Sequence, residues 1–419
     1  MAPLRFFLTA PLFAVLAGLL IAVDGGDLFA SRWTPGALAA THLITVGFML
    51  QTMLGALIQI LPVLAGVDLI RPLRLAQVVH VGLSAGALLL VAGFLFGQPL
   101  LLSSAALVLC LSVLIFLAVV VRAMAGVPSS SPTIRGIKFA LFGLGGVVAL
   151  GAGLALALAN GWSWSLPALA DLHAGWGLGG WAAVLLAAMA YVVVPMFQLT
   201  PAYPMRSSWW FPVIMLGLLL AWSLAVLADW DWLVRLSKLV AAMAGIAFAS
   251  LTLHLQTKRR RARADATYRY WQLGLGSSIF ALFLLLTAAI WPAAADIDGW
   301  AAGMGVLLLA GGFLPFISGM LYKILPFLAW LHLQSCGMAK VPAPAMNKLL
   351  PDIETQRQMQ VYVAAFVLLL GAVIFPGWLA RPAGLLFAVA NGWLFWNLFG
   401  AVRRYRQAEI NIMQKLAAK

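Results

Sequence analysis

The sequence predicts an all-α polytopic membrane protein with about twelve transmembrane helices. Its 419 residues are 64% hydrophobic and only 9% charged, whereas about a quarter of the residues in a soluble protein are charged. The hydrophobic residues form runs of about 20, the length that crosses roughly 30 Å of hydrocarbon. Because backbone groups in lipid must form their hydrogen bonds within their own segment, each run is expected to be a helix.

The predicted spans follow one another along nearly the whole chain. We interpret the first, which follows Arg5, as a retained helix and not as a cleaved signal, because no clear small-x-small cleavage site follows it. In order, the predicted spans are 6–23, 38–66, 75–95, 100–121, 139–158, 172–197, 210–227, 232–255, 273–290, 301–323, 361–375 and 383–402.

The charged residues predict the orientation. Lys and Arg concentrate in alternate loops, including 122–138, 258–269 and 403–419, and short loops rich in these residues stay on the cytoplasmic side. We therefore predict a bacterial-type inner (cytoplasmic) membrane, with the N- and C-termini cytoplasmic and the lipid bilayer as a partner. The net charge of +14 then reflects topology, and we expect no nucleic-acid partner.

An internal repeat predicts how the helices are arranged. Spans 2, 6 and 10 each carry small residues in the middle and a proline near the cytoplasmic end, namely Pro62, Pro195 and Pro326. These prolines are roughly 130 residues apart, the length of four spans. We predict one membrane domain built from repeats 1–135, 136–265 and 266–419. They would form three pseudo-repeated four-helix arcs about a pseudo-threefold axis, with spans 2, 6 and 10 inside.

Three candidate ligands lie at the outer ends of the predicted interior spans. His42, His173 and Met304 each precede the proline of their repeat by about 20 residues. Imidazole is a good axial ligand of haem iron and also binds copper or zinc. The positions suit a haem b with bis-His or His/Met ligation, and interior methionines also suit copper. Alternatively, each histidine sits at a helix interface with a water or backbone partner.

A second polar group is predicted at the cytoplasmic ends of the same spans. Gln59, Tyr191, Tyr322 and Lys323 occupy nearly equivalent positions in the three repeats. Lys323 either snorkels to the inner headgroups or points inward with the other three. An inward cluster would bind a haem propionate or a transported anion, or relay protons.

The other histidines and the cysteines are interpreted as non-functional. His80, His254 and His332 fall near the cytoplasmic ends of spans, where solvated ring nitrogens are common; the alternative is an inner metal site formed by all three. Cys110 lies in an apolar run and Cys336 in a predicted loop, and two cysteines cannot build a disulfide framework.

These features resemble the catalytic subunit, subunit I, of the haem–copper oxidases. The resemblance is carried by twelve spans in three arcs, by inward termini, and by His42 one turn inside the outer end of span 2, in a stretch that continues through Gly55 and Pro62. In that family this histidine ligates a low-spin haem. The family needs six histidines, whereas this chain has five and carries Ala187 near a copper ligand's position. The resemblance thus implies a divergent member without an intact oxygen-reducing haem–copper centre.

The functional expectation follows from this resemblance. It is a haem b-binding membrane protein for electron transfer or for handling or sensing a diatomic gas such as NO or O2. If it is an enzyme, it is a membrane oxidoreductase; no catalytic residue is assigned. Other membrane subunits or a periplasmic electron-transfer protein are the expected partners. The alternative is a transporter or cofactor-insertion protein for a metal, haem or small solute.

Overall fold

The computed structural model describes residues 3–260, 263–338 and 341–417, and these ranges are helical with no strand. They contain 12 helices long and apolar enough to cross a membrane, which confirms the predicted fold class. The helices are α1 (Leu4–Phe29), α2 (Pro35–Ala65), α3 (Pro72–Phe96), α4 (Pro99–Met124), α5 (Pro132–Asn160), α6 (Leu166–Gln198), α7 (Met205–Leu227), α8 (Asp231–Thr257), α9 (Ala266–Ile290), α10 (Trp300–Cys336), α11 (Asp352–Ile374) and α12 (Pro376–Ala417).

Local sequence signals define several helix ends. Pro132 is the first residue of α5, and the side chain of Ser131 before it accepts a hydrogen bond from the Ile134 nitrogen at 3.2 Å. Proline is favoured there because its missing N–H would have no partner within the helix. Gly97 and Gly161 follow α3 and α5 with φ of +60° and +65°, a conformation that ends helices and favours glycine.

Several helices continue beyond the spans that hydropathy predicts. The last predicted span, 383–402, is the middle of the 42-residue α12, and the predicted span 301–323 continues in α10 to Cys336. Cys336 is therefore the last residue of a helix, and the prediction of a loop there is wrong. Hydropathy detects only the part of a helix in lipid, whereas a helix that packs against a neighbour can continue into water.

The face of α4 shows the contact with the bilayer. Leu100, Leu107, Leu111 and Leu114 are all more than half exposed on this helix. A soluble protein rarely exposes so large an apolar stripe, whereas lipid tails solvate it. The protein is therefore a multi-pass membrane protein in contact with lipid.

Three helices contain π-helical segments at matching positions. The segments are Leu43–Leu50 in α2, Gly175–Ala183 in α6 and Val306–Phe313 in α10. Each begins within two residues of a predicted ligand and about 20 residues before the proline of its repeat. The common register supports the threefold repeat, which remains a prediction. π-Helical turns are rare in proteins, and those that occur often lie at functional sites.

The helices pack as two compact units. Unit one consists of Met1–Pro3, Met53–Ala262 and Leu275–Leu307. Within it, Leu172 and Trp176 of α6 pack with Leu219 of α7. The Trp176 ring nitrogen donates a hydrogen bond to the Ser223 hydroxyl at 3.0 Å, so an apolar contact and a polar one hold the same pair of helices.

Unit two consists of Leu4–Thr52, Arg263–Gly274 and Leu308–Lys419. Its closest helix contact is the crossing of α1 and α12 at Gly18 and Gly384. A Cβ atom added to Gly18 would lie 2.6 Å from the Ala388 nitrogen, and one added to Gly384 would lie 2.5 Å from the Ala22 nitrogen. The two backbones therefore touch, as in small-xxx-small packing of membrane helices.

Candidate functional site

His42 is a half-buried residue of α2, directly before the first π-helical segment. Its Nδ1 lies 2.8 Å from the Leu38 carbonyl oxygen. A carbonyl can only accept, so Nδ1 carries the proton and Nε2 carries the lone pair of the neutral ring. Histidines that bind metals are commonly oriented in this way by a backbone carbonyl.

His173 has the same tautomer but a different setting. Its Nδ1 lies 3.1 Å from the Val147 carbonyl oxygen of α5, which again assigns the lone pair to Nε2. The ring rests on Gly151, where an added Cβ would lie 2.8 Å from its Cε1 atom. At the same end of α6, Asp171 forms a 3.1 Å ion pair with Lys238. This packing gives His173 a structural role in holding α6 against α5.

Tyr191 has one of the buried polar atoms of unit one that lack a hydrogen-bond partner among the described residues. Its ring packs edge-on to Tyr203 and Phe248, with centroids 5.2 and 6.4 Å away. Its hydroxyl is buried and has no hydrogen-bond partner among the described residues. An unsatisfied buried hydroxyl costs about 1–3 kcal/mol, so this atom is suited to receive a polar group of a ligand.

The two remaining predicted site residues, Gln59 and Met304, are half-buried in α2 and α10.

Tyr203, in the loop after α6, fixes the orientation of this aromatic cluster. Its ring stacks on Phe248, and its hydroxyl hydrogen-bonds to the Thr252 hydroxyl at 3.0 Å. Burial raises the pKa of Tyr203, and the Thr252 hydrogen bond opposes that rise only in part. The phenol therefore stays neutral near neutral pH and can serve as a hydrogen-bonding group but not as a base.

Lys323 and Tyr322 point to different partners although they are adjacent in α10. Lys323 Nζ forms a 2.8 Å ion pair with Asp265 Oδ2. Asp265 also caps α9, because its Oδ1 accepts a hydrogen bond from the Tyr268 nitrogen at 2.9 Å. The lysine therefore ties α10 to the start of α9, an ion pair that neither sequence interpretation of Lys323 included.

Tyr322 belongs to a buried polar network in unit two. Gln358 Oε1 accepts hydrogen bonds from the Tyr322 hydroxyl at 2.9 Å and the Tyr270 hydroxyl at 2.7 Å. Gln358 Nε2 donates to the Ala390 carbonyl at 2.9 Å, and Asn397 Nδ2 donates to the Tyr322 hydroxyl at 2.9 Å. Through these bonds the network joins α9, α10, α11 and α12.

The network is built to hold helices and not to conduct protons. Both tyrosines donate to the same amide oxygen of Gln358, and its amide nitrogen is committed to a backbone carbonyl. A proton could pass only if the amide changed its bonding. The sequence analysis did not single out Gln358, Tyr270 or Asn397. Each is an amide or phenol within or beside an apolar span, and such side chains usually form hydrogen bonds to a neighbouring helix. That pattern could have identified them.

Gln358→Leu is expected to lower the free energy of unfolding by about 2 kcal/mol. The change keeps the side-chain volume similar but removes the acceptor of two buried hydroxyls and the donor to a buried carbonyl. The measurement is SDS-induced unfolding of the purified protein, followed by tryptophan fluorescence. Gln272→Leu, at an exposed position of α9, is the control and should change stability little. Equal stability of the two variants would contradict the structural role of the network.

No protein-family model matches the chain, and no curated protein matches it.

The setting of His42 is compatible with a haem ligand in one respect. The His42 tautomer leaves Nε2 as the ligating atom, as axial ligation of haem iron by histidine requires.

Proposed function

We propose that the chain is a haem b-binding integral membrane protein of the haem–copper oxidase subunit I type, with a reduced set of ligands. His42 would hold the haem iron through Nε2, and His173 is a second candidate. When bound, the haem supplies electron transfer or reversible binding of a diatomic gas such as NO or O2. The family needs six histidines, whereas this chain has five and carries Ala187 near a copper ligand's position, so oxygen reduction at a haem–copper pair is not part of the proposal.

The observation that carries the proposal is the setting of His42. A half-buried imidazole in a membrane helix is an expensive group that is usually functional. Its Nδ1–H is committed to the Leu38 carbonyl at 2.8 Å, which raises the basicity of Nε2 and fixes the ring plane. The π-helical segment that follows at Leu43 is a second mark of a functional site.

The orientation is part of the same proposal. Basic residues in alternate loops favour an inner membrane with both chain ends cytoplasmic, which places His42 at the outer end of α2. A periplasmic electron-transfer protein or another membrane subunit would then reach the haem from outside.

Transport is the second candidate, and the Tyr191 hydroxyl favours it. A buried hydroxyl that lacks a protein partner could contact a passing solute, metal complex or haem as readily as a resident group. In this alternative the protein moves or inserts its ligand and does not retain it. The two candidates differ in whether the purified protein keeps a bound chromophore.

The test is the absorption spectrum of the purified full chain, oxidised and dithionite-reduced. The proposal expects a Soret band, reduced α and β bands of b type, and about one haem per chain by the pyridine haemochrome method. A folded but colourless protein that also fails to bind added haem would overturn it. Reversible, weak haem binding without a resident chromophore would favour the cofactor-insertion alternative.

A further inference from the structure

We propose that His332, Cys336 and Glu409 form a binding site for a divalent transition metal of the Zn²⁺ class. The site lies in unit two where the ends of α10 and α12 meet. It does not depend on haem binding at His42, and sequence analysis had interpreted His332 as an interfacial residue and given Cys336 no role.

Helix geometry presents the ligands as two facing pairs. His332 and Cys336 are four residues apart on α10, and Tyr405 and Glu409 are four apart on α12, so each pair shares one helix face. The helices are held together beside them by a small core that includes Leu333 of α10 and Tyr405 and Ile412 of α12. The backbone therefore fixes the pairs opposite each other before any ion binds.

The distances match what a tetrahedral ion requires. His332 Nδ1 lies 3.6 Å from Cys336 Sγ and 3.8 Å from Glu409 Oε1, and one ligand atom from each of the three residues lies within 4.8 Å of the others. With Zn–N, Zn–S and Zn–O bonds of about 2.0, 2.3 and 2.1 Å, tetrahedral angles place such ligands roughly 3.4–3.6 Å apart. The two distances from His332 Nδ1 are within a few tenths of an ångström of these values, and side-chain rotation must also bring the Cys336 sulfur and the Glu409 carboxylate closer together than the 4.8 Å limit.

Tyr405 places a fourth possible ligand atom, its hydroxyl oxygen, next to the same nitrogen. Its hydroxyl lies 2.9 Å from His332 Nδ1. It hydrogen-bonds to the ring when no ion is bound, and it or a water would complete four-coordination when one is. Three protein ligands plus an exchangeable fourth position is a common zinc arrangement.

Charge and softness select the class of ion. A Cys336 thiolate and the Glu409 carboxylate together balance a divalent charge, and binding would release the thiol proton. Sulfur and imidazole ligands favour Zn²⁺ and its neighbours over Mg²⁺ or Ca²⁺, which prefer oxygen. All three ligand residues are partly exposed, so an ion can reach them.

The site lies beyond the membrane core. The 37 residues of α10 extend about 55 Å, whereas the hydrocarbon is roughly 30 Å thick. Cys336 is the last residue of this helix, so the site lies at the aqueous end. A bound ion would clamp the two helix ends together, in addition to the apolar contacts.

The experiment is metal titration of the purified full chain after chelator treatment and dialysis. Wild type is expected to bind one Zn²⁺ by calorimetry, and Co²⁺ is expected to give the charge-transfer absorption of a thiolate ligand. Cys336→Ser should abolish that absorption. Glu409→Gln should weaken Zn²⁺ binding about tenfold or more, the size seen even when outer partners of a metal site are removed.

Cys110→Ser and His254→Ala are the controls, because they remove the other cysteine and an exposed histidine. Both should bind Zn²⁺ and Co²⁺ as wild type does. No Zn²⁺ binding by wild type, or unchanged binding by Cys336→Ser and Glu409→Gln, would overturn the proposal. If Cys336→Ser does not fold, Glu409→Gln decides, since it removes only a half-exposed charge. Zinc binding is expected whether or not the protein is coloured.

Discussion

His42→Ala is expected to purify without the b-type haem absorption that we propose for the wild-type protein. The variant removes the only imidazole on α2, and alanine offers no atom that can ligate iron. We expect haem content to fall at least tenfold, measured as pyridine haemochrome per chain.

His254→Ala is the control, because this histidine is exposed on α8. It should keep the full spectrum. His173→Ala tests the second predicted ligand: loss of colour would show that haem binding requires His173, and unchanged colour would assign His173 only the contact with α5. Retention of haem by His42→Ala together with its loss in His254→Ala would contradict the proposed site. Thermal unfolding of each variant shows whether the fold is intact.

Gly384→Leu is expected to lower the free energy of unfolding by about 3 kcal/mol or more. The added side chain would meet backbone atoms of α1, since even its Cβ would lie 2.5 Å from the Ala22 nitrogen and 2.6 Å from the Gly18 oxygen. Overpacking typically costs 1–3 kcal/mol when side chains can adjust. Here both neighbours are backbone, so the helices themselves must separate.

Gly377→Leu is the matched control, because it makes the same change on the same helix. A Cβ atom at Gly377 meets nothing within 4 Å, and leucine has a better helix propensity than glycine. We expect its SDS unfolding curve to match that of wild type or to shift slightly to higher SDS. Equal destabilisation by the two variants would show that α1 and α12 do not cross at Gly384.

Much of the fold could be predicted from the sequence because lipid imposes one simple rule. The rule requires each apolar run of about 20 residues to be a helix, and the described residues contain twelve such helices. The ends could not be predicted as well. Where α10 and α12 extend into water, their sequences are polar, and only their contact with each other, through residues such as Leu333 and Tyr405, explains why they remain helical.

The candidate sites were less predictable, for a different reason. His42 could be singled out because a lone imidazole in an apolar run is conspicuous. The partners of Tyr322 and Lys323 could not, because Gln358 and Asp265 are distant in sequence and hydropathy carries no information about which helices are neighbours. The same holds for Cys336 and Glu409, which are 73 positions apart in the chain.

The π-helical segments change which residues share a face on α2, α6 and α10. A turn with hydrogen bonds from i to i+5 holds one residue more than an α-helical turn, so it acts as a one-residue insertion. A helical wheel drawn at 100° per residue across Leu43–Leu50 would therefore assign Gln51 and all later residues of α2 to the wrong side relative to His42. Deleting one residue within this segment would restore a regular helix without disturbing the register of either half, whereas a deletion elsewhere in α2 would rotate one half against its neighbours.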